Sequence, residues 1–184
     1  MITSYDRNAQ AVRMLRVGFR VPVVVAETGM TALKVRRMAR DVDGDGRGRS
    51  GSMPAAYTMA ASSSALMDIS LFAALYRSMG GEAVLRSIDI EILISAYNLY
   101  LEVRESHLSH VKPVLTDINR AWVIARDIRS DLAWLETCEV DGYHLTVNEQ
   151  RTPLGCPWCQ CRRASSRKRS KGTTETAARL SREC

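Results

Sequence analysis

The spacing of apolar residues in the middle of this chain constrains its fold more than any other feature. After Pro113 the apolar positions advance in steps of three and four, at 114, 118, 121, 122, 125, 128, 132 and 135. These steps match the period of an amphipathic helix that directs one apolar stripe toward a core. The spacing therefore predicts one long helix over this stretch.

Two further helices are predicted before Pro113. The first covers 65–79 and should end at Gly80-Gly81, because glycine weakens a helix interior. The second covers 83–102, and its apolar positions occur nearly all round the helix, so we expect it to be buried on most sides. No alternation typical of a strand occurs before about residue 143. We therefore expect a mainly α-helical bundle for the body, 55–137.

A second pattern lies near the N-terminus, after an amphipathic segment at 9–19. Pro22 suits the first turn of a helix, Gly29 suits a tight turn with positive φ, and Thr31 can cap a second helix. In that second helix Leu33, Val35 and Met38 should face inward, and Lys34, Arg36, Arg37 and Arg40 should face outward. Helix, glycine turn and basic helix form a helix-turn-helix pattern, which is typical of DNA binding. Short helical hairpins without such a role have the same pattern.

The positive charge is concentrated at the two ends of the chain. Residues 1–42 carry eight Lys/Arg against three Asp/Glu, residues 162–184 carry eight against two, and the middle carries ten against fifteen. Basic ends on an acidic body indicate a polyanionic partner, with nucleic acid as the first candidate. The candidate phosphate contacts of the tail are Arg162, Arg163, Arg167, Lys168 and Arg169. A basic tail that is simply solvated is the alternative.

Residues 43–54 are rich in Gly, Ser and Asp and are interpreted as a linker. The pattern D-x-D-x-D-G at its start resembles the opening of a calcium-binding loop. Such a loop needs a bidentate Glu at its twelfth position, and Ser52 occupies that position here. We therefore reject a calcium site.

Four of the five cysteines lie between 138 and 161. A structural zinc ion is bound tetrahedrally, typically by ligands from two short turns. Cys156 and Cys159 form one C-x-x-C turn, and Cys138 begins the other, with Asp141 at the position where a second cysteine is expected. The alternating sequence YHLTVN fits the strand between the turns. We predict one structural Zn²⁺ bound by Cys138, Asp141, Cys156 and Cys159, with His144 or Cys161 as alternatives to Asp141.

Two other interpretations of the cysteines compete with zinc. The C-P-W-C turn resembles a glutaredoxin-type dithiol, but such a pair requires a βαβ unit, and only a basic tail follows Cys161. The third interpretation, that the cysteines are inert, does not account for their clustering. Zinc is therefore favoured, in a structural role, because no general base or substrate cleft is evident nearby.

The remaining candidates for chemistry do not indicate an enzyme. His107 and His110 lie in a polar stretch without a carboxylate–histidine–nucleophile arrangement, and we expect them at the surface. No glycine motif that binds phosphate follows a strand. The polar N-terminus does not resemble a signal peptide, and the apolar runs are too short to span a membrane. An odd number of clustered cysteines favours a reducing compartment. We expect a soluble, cytoplasmic protein without a membrane partner.

Several segments together resemble one family. They are ISAYNLYLE at 94–102, INRAWVIARDIRS at 118–130, DLAWLETC at 131–138 and GCPWCQ at 155–160. With the N-terminal hairpin and the linker, they are similar to the flagellar transcriptional regulator FlhC over roughly 8–163. The resemblance is most specific at A-Y-x-L-Y-L-E, R-A-W and the second cysteine turn. It implies a mostly helical cytoplasmic protein with a small C-terminal zinc element. It also implies a hetero-oligomer with an FlhD-like subunit that binds flagellar promoters and activates transcription through RNA polymerase.

The resemblance and the residue patterns give one division of the chain. It comprises a helix-turn-helix-like region (1–42), a linker (43–54), a helical core (55–137), a zinc-binding element (138–161) and a basic tail expected to be disordered (162–184).

The chain departs from the family in two places. The family's zinc site has two C-x-x-C pairs, whereas Asp141 replaces the fourth cysteine here, and the tryptophan-rich entry to the central helices is absent from AAYTMAASSS. These departures suggest a divergent member. The alternative function is therefore a paralogue that binds FlhD and modulates the active regulator without activating promoters itself.

Overall fold

The computed structural model describes residues 4–43 and 53–163. Its elements, in chain order, are α1 Ser4–Val17, α2 Val21–Thr28, α3 Ala32–Asp43, α4 Ala56–Met59, α5 Ser63–Gly80, a 3₁₀ turn Gly81–Leu85, α6 Ile90–His107, α7 Ile118–Arg129, β1 Ala133–Cys138, β2 Gly142–Val147 and a short helix α8 at 157–163. β1 and β2 form a two-stranded antiparallel sheet. The predicted mainly α fold with a small C-terminal ribbon is confirmed. None of the described helices is long and apolar enough to cross a membrane.

The N-terminal helices form the predicted pair around a glycine turn. Gly29 ends α2 with φ +66°, and the Thr31 hydroxyl oxygen accepts a hydrogen bond from the Lys34 backbone N–H at 3.4 Å. α3 buries Val35 and Ala39 against α1 and α2. The prediction that Leu33 faces inward is wrong, since 60% of this residue is exposed. Leu33 precedes Val35 by two residues, which places it roughly 200° round the helix from the buried stripe.

Polar contacts from α7 fix the corner between α1 and α2. The Asn119 side-chain oxygen accepts from the Arg20 backbone N–H at 2.7 Å, and its amide nitrogen donates to the Gly18 carbonyl at 3.1 Å. The Trp122 indole N–H donates to the Glu27 carboxylate at 2.8 Å. Asn119 and Trp122 belong to the segment that resembles the FlhC family. They attach the basic helix, through α2, to the rest of the molecule.

A buried carboxylate joins α5 to α6 and to the loop that follows. Asp68, with no exposed surface, accepts from the Tyr100 hydroxyl at 2.8 Å and from Arg104 Nε at 3.0 Å. Its other oxygen accepts the backbone N–H of Val114 at 2.7 Å. The Arg104 guanidinium also donates to the Val111 carbonyl. Each of these buried polar groups therefore has a partner, which burial requires.

The structure corrects the two later helices. α6 begins at Ile90 rather than at 83, because Asp89 caps it by accepting the backbone N–H groups of Glu91 and Ile92 at 2.8 and 3.1 Å. Burial of α6 on most sides is also wrong for the single chain, since Leu101 is 45% exposed.

The helix predicted from 114 to 135 is shorter at both ends, and a strand replaces its last part. α7 begins after the cap Asp117 and ends at Arg129. Asp131 then adopts φ +54°, and the Leu132 backbone N–H donates to the Asp127 carbonyl at 2.9 Å. This turn leads into β1, so Leu135 lies in a strand. Its agreement with the helical spacing of α7 is a coincidence.

Candidate metal centre

The ribbon supplies one half of the cysteine cluster. Cys138 is the last residue of β1 and pairs with Gly142, the first residue of β2, which has φ +75°. Asp141 lies in the turn between them. β2 is fixed to α5, because the Leu145 backbone N–H donates to the Ser70 hydroxyl at 3.0 Å and the Leu145 side chain is fully buried. The first turn therefore has a rigid base.

The second turn is held by a residue that the sequence did not indicate. Gln160 donates its side-chain N–H groups to the carbonyls of Pro153, Leu154 and Gly155 at 3.2, 2.8 and 3.2 Å. It lies on α8, so it fixes the loop that leads into Cys156 to the helix that carries Cys159. A glutamine directly after a C-x-x-C turn is the only signal in the sequence, and it is weak.

Four donor atoms converge between the two turns. The Sγ atoms of Cys138, Cys156 and Cys159 and a carboxylate oxygen of Asp141 all lie within 4.8 Å of one another. The Cys138 and Cys159 Sγ atoms are 3.7 Å apart, and Asp141 Oδ2 is 3.7, 3.1 and 3.2 Å from the Sγ atoms of Cys138, Cys156 and Cys159. A tetrahedral zinc ion with Zn–S bonds of about 2.3 Å places its thiolates about 3.8 Å apart. The donor set therefore fits a zinc ion.

The alternatives for the fourth ligand lie elsewhere. His144 is buried on β2, and its Nε2 is 3.4 Å from a carboxylate oxygen of Glu136, its cross-strand neighbour. Cys161 packs beside an apolar cluster of Met67, Leu108 and Val111. Neither residue belongs to the group of four donors. The structure therefore brings Asp141, and neither alternative, to the three thiols.

A guanidinium group covers the fourth donor. Arg162 Nη1 donates to Asp141 Oδ1 at 2.9 Å, and its Nη2 donates to Asp141 Oδ2 at 2.6 Å and to Cys159 Sγ at 3.1 Å. The hydrogen bonds from Arg162 hold the pKa of the Asp141 carboxyl well below its usual range. Asp141 is therefore an anion at neutral pH, as a metal ligand must be.

The thiols differ in how readily they ionise without a metal. Burial raises the pKa of Cys156 to about 12, and the hydrogen bond to Asp141 raises the pKa of Cys159. Backbone hydrogen bonds, first from Asp141, lower the pKa of Cys138. Since zinc binds thiolates, metal binding would release the protons that the three thiols hold.

The redox interpretation stays disfavoured, although one of the arguments against it no longer holds. A short helix, α8, begins directly after Cys156, whereas no helix was predicted beside the pair. However, a reactive cysteine of that type has a lowered pKa, whereas the pKa of Cys156 is raised. The described residues around the pair also contain no βαβ unit.

The basic residues predicted to bind DNA divide into two groups. The side chains of Lys34, Arg36, Arg37 and Arg40 are all exposed on α3. In the tail, Arg162 contacts Asp141 and Arg163 is exposed, while Arg167, Lys168 and Arg169 lie outside the described residues, as does most of the linker. His107 and His110 are exposed, as predicted.

Comparisons with known proteins agree with one another. The sequence model of a family described as flagellar transcriptional activator (FlhC) matches residues 1–171. The flagellar transcriptional regulator FlhC of Thauera aminoaromatica is 27% identical over 180 residues, covering 96% of this chain and 89% of that protein. That of Enterobacter cloacae subsp. cloacae is 27% identical over 161 residues, covering 86% and 82%. That of Paraburkholderia phymatum is 29% identical over 131 residues, covering 70% and 56%.

Proposed function

Because the chain belongs to the FlhC family of flagellar transcriptional activators, we propose that it is the DNA-binding subunit of a flagellar transcription regulator. In this proposal it acts in the cytoplasm as a hetero-oligomer with an FlhD-like subunit. The complex binds flagellar promoters and activates transcription through RNA polymerase. Its role is regulatory rather than enzymatic.

The exposed basic face of α3 is the observation that carries the DNA-binding part of the proposal. Lys34, Arg36, Arg37 and Arg40 occupy the solvent side of a helix whose other side is buried by Val35 and Ala39. α3 follows α2 across the Gly29 turn and so occupies the position of the second helix of a helix-turn-helix. In such motifs the second helix enters the major groove of DNA. Cations on such a helix neutralise phosphates, and their contribution falls as salt rises.

We further propose that the cysteine cluster binds one structural zinc ion. The donors Cys138, Asp141, Cys156 and Cys159 support this, since three thiolates and a carboxylate suit zinc in number, chemistry and spacing. The metal, when bound, would join the turn after β1 to the start of α8.

A promoter titration tests the DNA-binding proposal. The chain, purified with its FlhD-like partner, is titrated with a flagellar promoter fragment and a scrambled fragment at several salt concentrations. Replacing Arg36, Arg37 and Arg40 together with Gln should weaken promoter binding and reduce the slope of log affinity against log salt by up to about three, roughly one per phosphate contact. The matched control removes the same charge from exposed positions outside α3, by Arg86→Gln, Lys112→Gln and Arg151→Gln.

The outcomes separate the candidate functions. Promoter preference that is lost in the α3 variant and kept in the control supports the proposal. Equal weakening by both triple variants would mean that α3 is not the DNA-reading element. A stable complex with equal, weak binding to both fragments would instead favour the paralogue that modulates the active regulator.

A further inference from the structure

One arginine contacts two of the four candidate metal ligands. Arg162 donates to both oxygens of Asp141, at 2.9 and 2.6 Å, and to Cys159 Sγ at 3.1 Å. Paired N–H bonds to both oxygens of a carboxylate form the fork that fixes its orientation as well as its charge. In this orientation Asp141 Oδ2 is directed at the three thiols.

The position of Arg162 in the chain explains how it reaches both ligands. It follows Cys159 by three residues on α8, and residues three apart lie on one face of a helix. Its side chain is 53% exposed, whereas that of Asp141 is 16% exposed. The guanidinium therefore covers the solvent side of the carboxylate and separates it from water.

Charge gives a second reason for an arginine at this position. Three thiolates and one carboxylate bring four negative charges to a zinc ion that carries two positive ones. The centre would thus have an excess of negative charge on the surface of the ribbon. Arg162 is in hydrogen-bond contact with two of the four ligands and offsets part of that excess.

We propose that Arg162 is a positioning residue that makes an aspartate work as the fourth ligand of the metal centre. The inference rests on the proposed zinc site. A thiolate has a single acceptor atom, whereas the two N–H groups of the fork bind the two oxygens of a carboxylate. A cysteine in place of Asp141 would therefore not need Arg162 in the same way. The dependence of metal affinity on Arg162 should therefore be larger with the aspartate than with a cysteine at position 141.

A double-mutant cycle tests this coupling. The full chain, purified with its FlhD-like partner, is compared as wild type, Arg162→Gln, Asp141→Cys and the double variant. Zinc affinity is measured by competition with a chromophoric chelator, and bound zinc per chain is counted. Arg162→Gln should weaken zinc binding by about 10–100-fold, as loss of a partner that orients a ligand does. In the Asp141→Cys background the same substitution should cost a clearly smaller factor.

One further variant distinguishes orientation from charge, and two others serve as controls. Arg162→Lys keeps the charge without the fork, so its zinc affinity should lie between those of wild type and Arg162→Gln. Arg151→Gln removes a positive charge from an exposed position outside the four donors and should leave zinc affinity unchanged. Cys156→Ala removes a ligand and should release the metal. The visible spectrum of the Co²⁺-loaded protein should change in Arg162→Gln and stay unchanged in Arg151→Gln.

Each result decides the inference. An equal loss in the wild-type and Asp141→Cys backgrounds would mean that Arg162 supports the helix rather than the carboxylate, and no loss or a gain in affinity for Arg162→Gln would overturn the inference directly. If wild type binds no zinc, the proposed zinc site itself fails. Should Arg162→Gln not fold, the Arg162→Lys variant carries the same comparison.

Discussion

The buried carboxylate of Asp68 has consequences at the scale of a single residue. It accepts hydrogen bonds from α6 through Tyr100 and Arg104 and from the following loop through Val114. The Arg104 side chain is itself only 11% exposed, so Asp68 provides the counter-charge for a cation with little access to water. Removal of one partner from such a pair leaves the other charge buried without compensation.

We therefore expect Asp68→Asn to lower the free energy of unfolding by about 3–5 kcal/mol, the range for a broken buried pair. Denaturation by urea, followed by circular dichroism, measures this loss. Glu105→Gln, on the exposed side of α6, is the matched control and should change stability by less than about 0.5 kcal/mol. A loss for Asp68→Asn as small as that of the control would show that the network contributes nothing to stability.

Residues differ in how far the sequence indicated their roles. The convergence of the three thiols of the candidate metal centre followed from the spacing of the cysteines. The contacts of Arg162 and Gln160 did not. That of Arg162 depends on where α8 lies relative to the ribbon, and that of Gln160 depends on how the loop before Cys156 folds against α8. Arg162 was predicted to contact phosphate, since a basic residue in a basic tail gives no sign of an acidic partner elsewhere in the chain.

At the scale of the element, the turn between α2 and α3 sets the direction of the basic helix. Gly29 has φ +66°, and no atom lies within 4 Å of where a Cβ would be, so only the backbone conformation requires glycine there. Gly29→Ala should cost about 1–2 kcal/mol of stability, the penalty for a left-handed alanine. Gly29→Asn is the control and should cost less, since asparagine tolerates this conformation better.

The measurement pairs thermal unfolding with hydrogen exchange of the α3 amides. Faster exchange across α3 in Gly29→Ala than in Gly29→Asn is expected. Equal losses in the two variants would mean that the left-handed backbone conformation at position 29 is not the cause of the loss.

The elements that the sequence predicted well are those with local signals. Gly29, Thr31 and the apolar stripe of α3 gave the N-terminal pair, and YHLTVN gave β2. The whole of β1 was missed because Leu132 and Leu135 extend the helical spacing of α7 across the turn at Asp131. Strand pairing with β2, which comes later in the chain, overrides that local pattern.

At the scale of the whole molecule, one apolar core links the basic helix to the ribbon. Buried residues of this core extend from Ala11 in α1 to Val147 in β2. Leu71 packs against this core and also against the smaller cluster that contacts Trp158 and Cys161. The described residues should therefore unfold together when the metal is bound.

Fluorine NMR of the chain labelled with 5-fluorotryptophan tests this expectation, with signals assigned by Trp→Phe variants. Trp122 reports on the contact between α2 and α7, and Trp158 reports on α8. In the zinc-loaded protein both signals should lose native intensity at the same urea concentration, as coincident transitions require. With a chelator present, the Trp158 signal should be lost at lower urea. Different midpoints in the loaded protein would instead indicate two independently folding units.

The contact between Asp141 and Arg162 also bears on the order in which the two residues were acquired in evolution. An arginine that appears first costs little, because position 162 is about half exposed on a short helix. At the proposed metal centre, an aspartate that appears first would serve as a ligand without a group that orients it. We expect lineages to have acquired the arginine before the aspartate. Reversion of the arginine alone should then be selected against for as long as the aspartate remains.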